Sequence, residues 1–419
     1  MMDEINQLLK ETLMLLDSSQ NDEIEKEKQL LLLTNRLMNS FFTCCITIKE
    51  RQLRSYYQAK GYQPGKKQER TIYFLFGPLT YSRTPWKKGK ETVYPIDKWL
   101  AALPSIHYSI GVINALVQAS QHGSYRDIAA IFSNCSPILC SKDIVGKVVH
   151  NFGELVEALH NYKQVQKEKQ RREVPYLFVE ADGFMLSTQE QKKKEVAHFV
   201  VHEGRRTTNK IGQSGLENDH EIISPTHSQA TWCLTDYLYR NYKLKNTVVV
   251  INTDGGVGYE PMFIRKLLPE KPKRVEQFID PYHVQLKLSE RVFIPKLYPL
   301  FKEALADYSR EKMTIALDTL HSCCENKDQE EHYTKLNAYI NRNWKHLKPY
   351  RLRDLPKENG MIGIIESRHR AFTYRMKKQG RYWGKKGMNG MLQIIAATKN
   401  HTLDEVLLAK WREDLSIAD

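Results

Sequence analysis

The chain has 419 residues, of which 41% are hydrophobic and 27% are charged, as in ordinary globular proteins. Lys and Arg outnumber Asp and Glu by 63 to 49, and the resulting charge of +14 favours nucleic acid as a partner over a membrane surface. The chain lacks the ~18 uninterrupted apolar residues that a membrane helix needs. Its seven cysteines form no CxxC pair, which favours a reduced intracellular protein without a structural zinc site.

The N-terminal segment, residues 1–65, is predicted to be helical. Ile5, Leu8, Leu9 and Leu13 recur at helical spacing. The first nine residues are acidic rather than basic, so they do not resemble a secretory signal. We interpret this segment as a helical cap or a dimer contact.

A short β-hairpin is predicted next. Residues 71–76 and 79–81 have the composition of strands and flank Gly77 and Pro78, which predict a turn. Basic residues are interleaved with aromatic residues around this hairpin, a pattern that suits a nucleic-acid surface.

Two short helices are predicted after the hairpin. Ser124 and Ser141 stand at the start of helical patterns over 124–132 and 141–149, and serine is a preferred N-cap residue. Two helices with a tight connection resemble a helix-turn-helix motif, whose second helix enters the major groove of DNA. An ordinary helical hairpin is the alternative. In the first interpretation, Arg126 and Lys142 are the predicted DNA contacts.

The pattern changes after a charged boundary at residues 163–172. The residues after this boundary contain unbroken apolar runs, which are typical of strands covered on both faces. We therefore predict a mixed or parallel sheet flanked by helices. From about residue 280 to 350 the chain is predicted to be helical, and this block is too long to be a loop. The runs are strand-like at 176–179, 196–201 and 247–251, and helix-like at 230–239.

Two aspartates stand at the predicted ends of strands. Asp182 follows the strand at 176–181, Asp254 follows the strand at 247–253, and each is followed directly by glycine. Such positions are where α/β folds place their sites, although Asp-Gly is also a common turn sequence. Glu180 lies on the same strand face as Asp182 and competes with it for a role.

A third acid, Glu366, lies at the predicted start of a helix and is the only acid between residues 366 and 386. Basic residues surround Glu366. A lone carboxylate in a basic cluster is either an ion-pair partner or a metal ligand that nucleic-acid phosphates approach. We predict that the surrounding basic cluster binds DNA, together with Trp383. Its members are Arg368, Arg370, Arg375, Lys377, Lys378, Arg381, Lys385 and Lys386.

Several stretches resemble the ISLre-type transposases of bacterial insertion sequences, which belong to the RNase H-like DDE group. The resemblance extends from about residue 70 to 397, and its most specific part is an acid that leads into TYRMKKQGRYW. The matching stretches are VEADG at 179–183, NTDGG at 252–256, FIDPYH at 278–283, ESRHR at 366–370 and TYRMKKQGRYW at 373–383.

The resemblance implies that Asp182, Asp254 and Glu366 form a catalytic triad that holds two Mg²⁺ or Mn²⁺ ions. We assign Asp182 as the ligand shared by both ions, with Asp254 and Glu366 each completing one side. These ions prefer oxygen ligands, and two of them about 3.5–4 Å apart can activate a nucleophile and stabilise a leaving oxygen. Asp280 and His283 resemble a supporting element of related groups. We interpret His283 as pinning the helix that starts after Pro281, with a role near the scissile phosphate as the alternative.

The predicted fold is an α/β RNase H-like catalytic core with an all-helical insertion, preceded by a mainly helical DNA-binding region that contains a small β-hairpin. The predicted segments are 1–65 (N-terminal helices), 66–172 (DNA binding), 173–283 (first part of the core), 284–360 (insertion) and 361–419 (the glutamate helix and basic cluster).

The function implied by the resemblance is transposition, in which the protein binds terminal inverted repeats, cleaves the element ends and transfers a 3′-hydroxyl to target DNA. The implied partners are double-stranded DNA and further copies of the chain, as a homodimer or larger assembly. The implied location is the bacterial cytoplasm, at the nucleoid and away from membranes. The alternatives are an RNase H-like nuclease without strand transfer and an inactive DNA-binding protein derived from a transposase.

Overall fold

The chain divides into two compact units in a computed structural model. The first unit contains Met1–Val165 and Lys386–Asp419, and the second contains Gln166–Lys385. The predicted last segment, 361–419, is therefore divided between the two units at Lys386. The structure describes residues 2–18, 22–165, 170–205, 215–357, 362–377 and 380–416.

Two helices and several short strands open the first unit. The helices are α1 (Met2–Asp17) and α2 (Glu23–Ala59), and the Asp22 side chain caps α2 by accepting a hydrogen bond from the N–H of Glu25 at 2.8 Å. β2 pairs antiparallel with β3, and β4 pairs antiparallel with both β1 and β5. The strands are β1 (Gln63–Pro64), β2 (Gln68–Phe74), β3 (Gly77–Arg83), β4 (Trp86–Lys88) and β5 (Glu91–Val93).

The turn of the predicted β-hairpin lies earlier than the sequence pattern indicates. Phe74 pairs with Gly77, so residues 75–76 form the turn, and Gly77 and Pro78 begin β3. Gly77 has a φ of +116° and lies against Asn35 of α2, whose amide donates hydrogen bonds to backbone carbonyls on both sides of it. A side chain at position 77 would collide with that amide, so the glycine serves the close approach of α2.

Among the described helices, α2 alone has the length and apolar composition that would allow it to cross a membrane. A single helix of this kind is weak evidence for a membrane span. Its Ile46 is buried in a cluster with Ile72, Leu79 and Tyr81 of β2 and β3. This part of α2 therefore packs as a core helix against the β-hairpin.

Four further helices follow in the first unit. Ser124 caps α5 as predicted, and Asp127 returns a hydrogen bond to the Ser124 backbone, which completes a capping box. The helix predicted at 141–149 is confirmed but continues to Val165. The helices are α3 (Pro95–Trp99), α4 (Ile110–Ser120), α5 (Tyr125–Cys135) and α6 (Lys142–Val165).

A five-stranded mixed sheet forms the centre of the second unit. Its strand order is β10-β9-β6-β7-β8. β6, β7 and β8 are antiparallel neighbours, whereas β9 is parallel to β6 and β10 is parallel to β9. The strands are β6 (Tyr176–Ser187), β7 (Lys193–His202), β8 (His220–Ser224), β9 (Val248–Thr253) and β10 (Arg274–Ile279).

The two faces of this sheet are covered by different elements. Leu177, Val179 and Ala181 of β6 pack in one core with Ala230 and other residues of α7 (His227–Asn241), and residues of α8 (Pro261–Lys266) join it. Side chains alternate along a strand, so Glu180 and Asp182 lie on the opposite face. Helices thus cover this face of the mixed sheet, and β6 presents two acids on the opposite face.

A helical block follows the last strand of the sheet, as predicted. It has its own core, in which Val284 and Leu288 of its first helix pack with Phe301, Leu320 and Leu336 of the next three. Short 3₁₀ turns at Pro295–Leu297, Trp344–His346 and Tyr350–Leu352 connect it. The helices are α9 (Pro281–Arg291), α10 (Tyr298–Asp307), α11 (Arg310–Ser322) and α12 (Lys327–Asn343).

The last three helices belong to different units. α13 (Ile365–Met376) lies in the second unit, whereas α14 (Lys385–Lys399) and α15 (Leu403–Ser416) belong almost entirely to the first. Gly390 of α14 lies against the backbone of Val149 in α6, closer than a Cβ atom could approach. Only glycine allows this helix contact. Because α6 and α14 are far apart in the chain, the local sequence around α14 does not reveal that it packs in the first unit.

Candidate functional site

The predicted acids come from three separate elements of the second unit. Asp182 lies inside β6, which continues to Ser187 because residues 178–187 pair with β7. The sequence prediction that β6 ends at Ala181 is therefore wrong. Asp254 directly follows β9, as predicted, and β9 is the parallel neighbour of β6. Glu366 is the second residue of α13.

Two of the three acids converge with a histidine. One ligand atom each from Asp182, His283 and Glu366 lies within 4.8 Å of the others. The Asp182 carboxylate is 4% exposed, whereas the Glu366 side chain is 58% exposed, so the group opens to solvent on the Glu366 side. Ligands on one Mg²⁺ ion are about 2.0–2.1 Å from the metal. These three donors are therefore close to the spacing that one cation requires.

Asp254 lies beside this group but outside the set of mutually close donors. Its Oδ1 accepts a hydrogen bond from the N–H of Gly256 at 2.9 Å, which holds the carboxylate in its own loop. Burial raises the pKa of Asp254, the negative charge of Asp182 raises it further, and the Gly256 hydrogen bond lowers it. The two aspartates are thus electrostatic neighbours that a bound cation would stabilise.

His283 faces the acids of the site. Its Nε2 lies 3.5 Å from Asp182 Oδ2. This contact with Asp182 raises the pKa of His283, the charges of Asp254 and Asp280 act in the same direction, and burial opposes them. The helix-pinning role that we assigned to His283 belongs instead to Asp280, which caps α9 by accepting from the N–H of Tyr282 at 2.8 Å.

His369, for which the sequence predicted no role, lies between two of the acids. His369 Nδ1 lies 3.6 Å from Asp182 Oδ2 and 3.7 Å from Glu366 Oε2. Burial lowers the pKa of His369 to about 4, and the neighbouring His198 contributes to this shift. The imidazole is therefore neutral near pH 7. The spacing of three residues from Glu366, which places both on one side of a helix, is the signal that could have identified it.

Glu180 does not compete with Asp182, because it is a structural anchor. This fully buried carboxylate accepts hydrogen bonds from the N–H groups of Gly363, Ile364 and Ile365 at 3.1, 2.9 and 3.2 Å. These donors precede and begin α13, where the helix dipole favours a negative charge. Glu180 thereby attaches the helix that carries Glu366 to the strand that carries Asp182.

Asn252 of β9 connects the remaining elements of the site. Its amide donates to Asp280 Oδ2 at 2.8 Å and to Glu180 Oε2 at 3.3 Å. β9, β6 and the start of α9 are therefore held together by one buried amide, so the supports of Asp182 and His283 are rigid.

The predicted DNA-binding residues of the second unit differ in exposure. Arg370, Lys377 and Lys385 are exposed and Arg381 is half-buried. Lys378 lies outside the described residues. Arg368 instead forms ion pairs inside the unit, with Asp219 at 2.6 Å and with Glu221 at 3.3 Å.

Two residues of the predicted DNA-binding set are buried. Arg375 is 2% exposed and lies over the Trp383 ring at 5.3 Å, and Trp383 is 7% exposed and donates its indole N–H to the carbonyl of Met376 at 2.9 Å. Buried side chains cannot meet phosphates or bases, so the predicted contacts of Arg375 and Trp383 with DNA do not fit the structure.

The predicted DNA contacts of the first unit lie on a groove. Arg126 and Lys142 are exposed, and a cavity of about 810 Å³ lies along the starts of α5 and α6. Lys147 and His150 of α6 also line it. Lys386, also exposed, pairs with Glu154 at 3.2 Å.

Comparison with known proteins identifies the family. The model of the uncharacterised protein family UPF0236 matches residues 21–413, so the chain belongs to this family. The UPF0236 protein in the vanSb 3′ region of Streptococcus gallolyticus is 26% identical over 386 residues, which cover 90% of this chain and 83% of the relative. A UPF0236 protein of Caldanaerobacter subterraneus subsp. tengcongensis is 22% identical over 345 residues, which cover 80% and 68%. The name of another relative from that organism, 21% identical, joins eleven locus designations.

Proposed function

We propose that this member of the UPF0236 family is a DNA transposase that cleaves the ends of its element and joins them to target DNA. The observation that carries the proposal is the convergence of Asp182 and Glu366, with Asp254 beside them. Acids so far apart in sequence are brought together by the sheet and by the Glu180 anchor, at the cost of mutual repulsion. Such a cost is expected where a site must hold cations.

The sheet supports an RNase H-like core for this enzyme. Three antiparallel strands, β6, β7 and β8, stand beside two parallel ones in the order β10-β9-β6-β7-β8. The first acid lies on the central strand and the second follows its parallel neighbour. This arrangement agrees with the resemblance between the sequence and DDE transposases.

Two further observations favour DNA as the substrate. The charge of +14 and the exposed Arg370 and Lys377, close in sequence to Glu366, provide favourable electrostatics for a polyanion. One relative has a name that joins eleven locus designations. Repeated copies of a gene within one genome are what a mobile element generates, and this supports transposition over simple DNA cleavage.

The donor set fits divalent metal ions. Asp182, Asp254 and Glu366 provide the carboxylate oxygens that Mg²⁺ and Mn²⁺ prefer, and the Asp182 carboxylate is nearly buried. When bound, two such ions supply charge neutralisation, activation of the attacking oxygen and stabilisation of the leaving oxygen.

The side chains of the site would orient two successive phosphoryl transfers. In the first, a water molecule gives up a proton as its oxygen forms a bond to the scissile phosphorus. The bond to the 3′-oxygen breaks, and that oxygen takes up a proton to become a 3′-hydroxyl. In the second, this hydroxyl forms a bond to a phosphorus of target DNA, loses its proton, and another 3′-oxygen leaves. Both transfers place negative charge in the same position, so the cations that one set of carboxylates would hold could serve both.

The proposal extends to the assembly and its location. Both ends of an element must be held together during joining, so we propose a homodimer or larger assembly on double-stranded DNA. The expected location is the bacterial cytoplasm, at the nucleoid.

A joining assay tests the proposal. The purified chain is incubated with Mg²⁺ or Mn²⁺, with DNA that carries the inverted repeats flanking its gene, and with a target plasmid. Products in which end DNA is covalently joined to the plasmid are expected. Cleaved ends without joining would instead indicate a nuclease, and a DNA complex without cleavage would indicate a binding protein.

Substitutions distinguish the site from the rest of the protein. Asp182→Asn and Glu366→Gln are expected to reduce joining at least about 10³-fold, since each removes a ligand of the cations. Asp318→Asn, which removes an exposed carboxylate of α11, is the matched control and should retain activity. Joining that persists in Asp182→Asn would show that these acids are not catalytic.

A further inference from the structure

We propose that His283 is a direct metal ligand together with Asp182 and Glu366, so that this cation position favours an imidazole-accepting ion such as Mn²⁺ over Mg²⁺. The inference rests on the proposed function for the expectation of a cation, but it concerns which ion is bound. In this arrangement, the ligands of one ion are two carboxylates and an imidazole nitrogen instead of carboxylates alone.

The distances around Asp182 are compatible with a group of metal ligands. His283 Nε2 lies 3.5 Å from Asp182 Oδ2, beyond the 2.7–2.9 Å that is typical of a charge-assisted hydrogen bond. Adjacent ligands on one ion at about 2.1 Å are roughly 3 Å apart. The separation of these two atoms is therefore compatible with two ligands that share an ion.

The charge balance around Asp182 also indicates a cation. This carboxylate is 4% exposed, and within the described part of the chain no Lys or Arg side chain forms an ion pair with it. Its ion-pair contacts are with the imidazoles of His283 and His369, and neither imidazole carries a permanent positive charge. A nearly buried carboxylate without a permanent positive partner is costly, and a divalent ion would remove that cost.

The backbone presents His283 as a preorganised ligand. It is the third residue of α9, and Asp280 caps this helix while it accepts a hydrogen bond from Asn252 of β9. The first turn of α9 is thus fastened to β9. By contrast, the Asp254 carboxylate hydrogen-bonds to Gly256 within its own loop, so it is the acid that remains for the second cation.

The chemistry of the donor set predicts the preference. Mg²⁺ is a hard ion that takes oxygen ligands, whereas first-row transition metals accept imidazole nitrogen more readily. One nitrogen and two carboxylates therefore bind Mn²⁺ more tightly than Mg²⁺, and removal of the nitrogen should remove most of that difference.

Metal binding to the full-length protein tests the inference without DNA. Mn²⁺ affinity is measured by water-proton relaxation and Mg²⁺ affinity by competition against Mn²⁺. We expect His283→Asn to weaken Mn²⁺ binding about tenfold or more and Mg²⁺ binding much less. His283→Asp, which supplies an oxygen instead, is expected to retain binding and to shift the preference toward Mg²⁺. His321→Asn removes a surface histidine that contacts Glu330 at 3.2 Å, and it should change neither affinity.

The outcomes separate this inference from the proposed function. An unchanged Mn²⁺ affinity in His283→Asn, or an equal loss for both ions, would overturn the role of His283 as a ligand. If Asp182→Asn still abolished DNA joining in that case, the proposed function would stand. The thermal unfolding midpoint of each variant shows that a loss of binding does not arise from a loss of folding.

Discussion

The Glu180 carboxylate accepts a hydrogen bond from the backbone N–H of Ile364 at 2.9 Å and so fastens the helix of Glu366 to the central strand. The N–H groups of Gly363 and Ile365 share the same oxygen. Asp182 lies two residues along the strand from Glu180, on the same face. The separation between Asp182 and Glu366 thus depends on a third carboxylate that does not itself join the donor group.

Glu180→Gln is predicted to destabilise the second unit by about 1–3 kcal/mol, because it removes the charge from buried hydrogen bonds to a helix start. The free energy of unfolding in urea measures the change. Glu190→Gln, an exposed position in the turn after β6, is the matched control and should cost less than about 0.5 kcal/mol. Equal losses in both variants would contradict the anchoring role.

The basic residues are predicted to separate into two classes by the salt dependence of DNA binding. Arg370→Ala combined with Lys377→Ala should reduce the slope of log K against log salt by about 2, since each exposed charge neutralises a phosphate. Arg375→Ala should leave the slope unchanged and lower stability, because Arg375 is buried against Trp383. An unchanged slope in the variant that lacks Arg370 and Lys377 would mean that DNA binds elsewhere.

Added Mn²⁺ is predicted to raise the thermal unfolding midpoint of the wild-type protein, because a cation relieves the repulsion between Asp182 and its neighbours. At a concentration about 100-fold above Kd, the gain is about 2.7 kcal/mol. Chelation with EDTA should reverse it, and Asp182→Asn should show little gain. Asp318→Asn should respond as the wild type does. A full response in Asp182→Asn would place the metal at another position.

The stability of the second unit is predicted to fall in acid, partly through His346. Burial lowers the pKa of His346 from its usual 6.5, and the charges of Lys345 and Arg353 add to this effect. The unfolded chain therefore binds more protons between the two pKa values. The stabilising contribution is complete above pH ~6.5 and is lost as the pH falls through the folded-state pKa. His346→Gln should reduce the difference in unfolding free energy between pH 7.5 and 5.5, and an unchanged difference would exclude this contribution.

Local sequence patterns predicted many elements but not all of their limits. The Ser124 cap, the apolar strand before Asp254 and the start of the Glu366 helix agree with the structure. The end assigned to β6 was wrong because Asp-Gly is a turn sequence locally, whereas pairing with β7 keeps Asp182 inside the strand. The short strand β10 was not predicted. Its local sequence does not indicate a strand, and its parallel pairing with β9 defines it.

The candidate site was only partly predictable from the chain. The acids were recognisable, since carboxylates at strand ends and within a basic cluster are unusual. The sequence did not reveal that Glu180 anchors a helix or that His369 lies between Asp182 and Glu366. Nor could composition separate the buried Arg375 from the exposed Arg370, because both belong to one charged stretch.

By itself, the sequence determined the alternation of helices and strands, the excess of positive charge and the three acids that could hold cations. These properties depend on side-chain spacing and composition, which act over a few residues at a time. The tertiary structure alone decided that His283 and Glu366 meet at Asp182 while Asp254 stands to one side. Distances between segments so far apart in the chain depend on strand order and helix packing, and no local pattern encodes them.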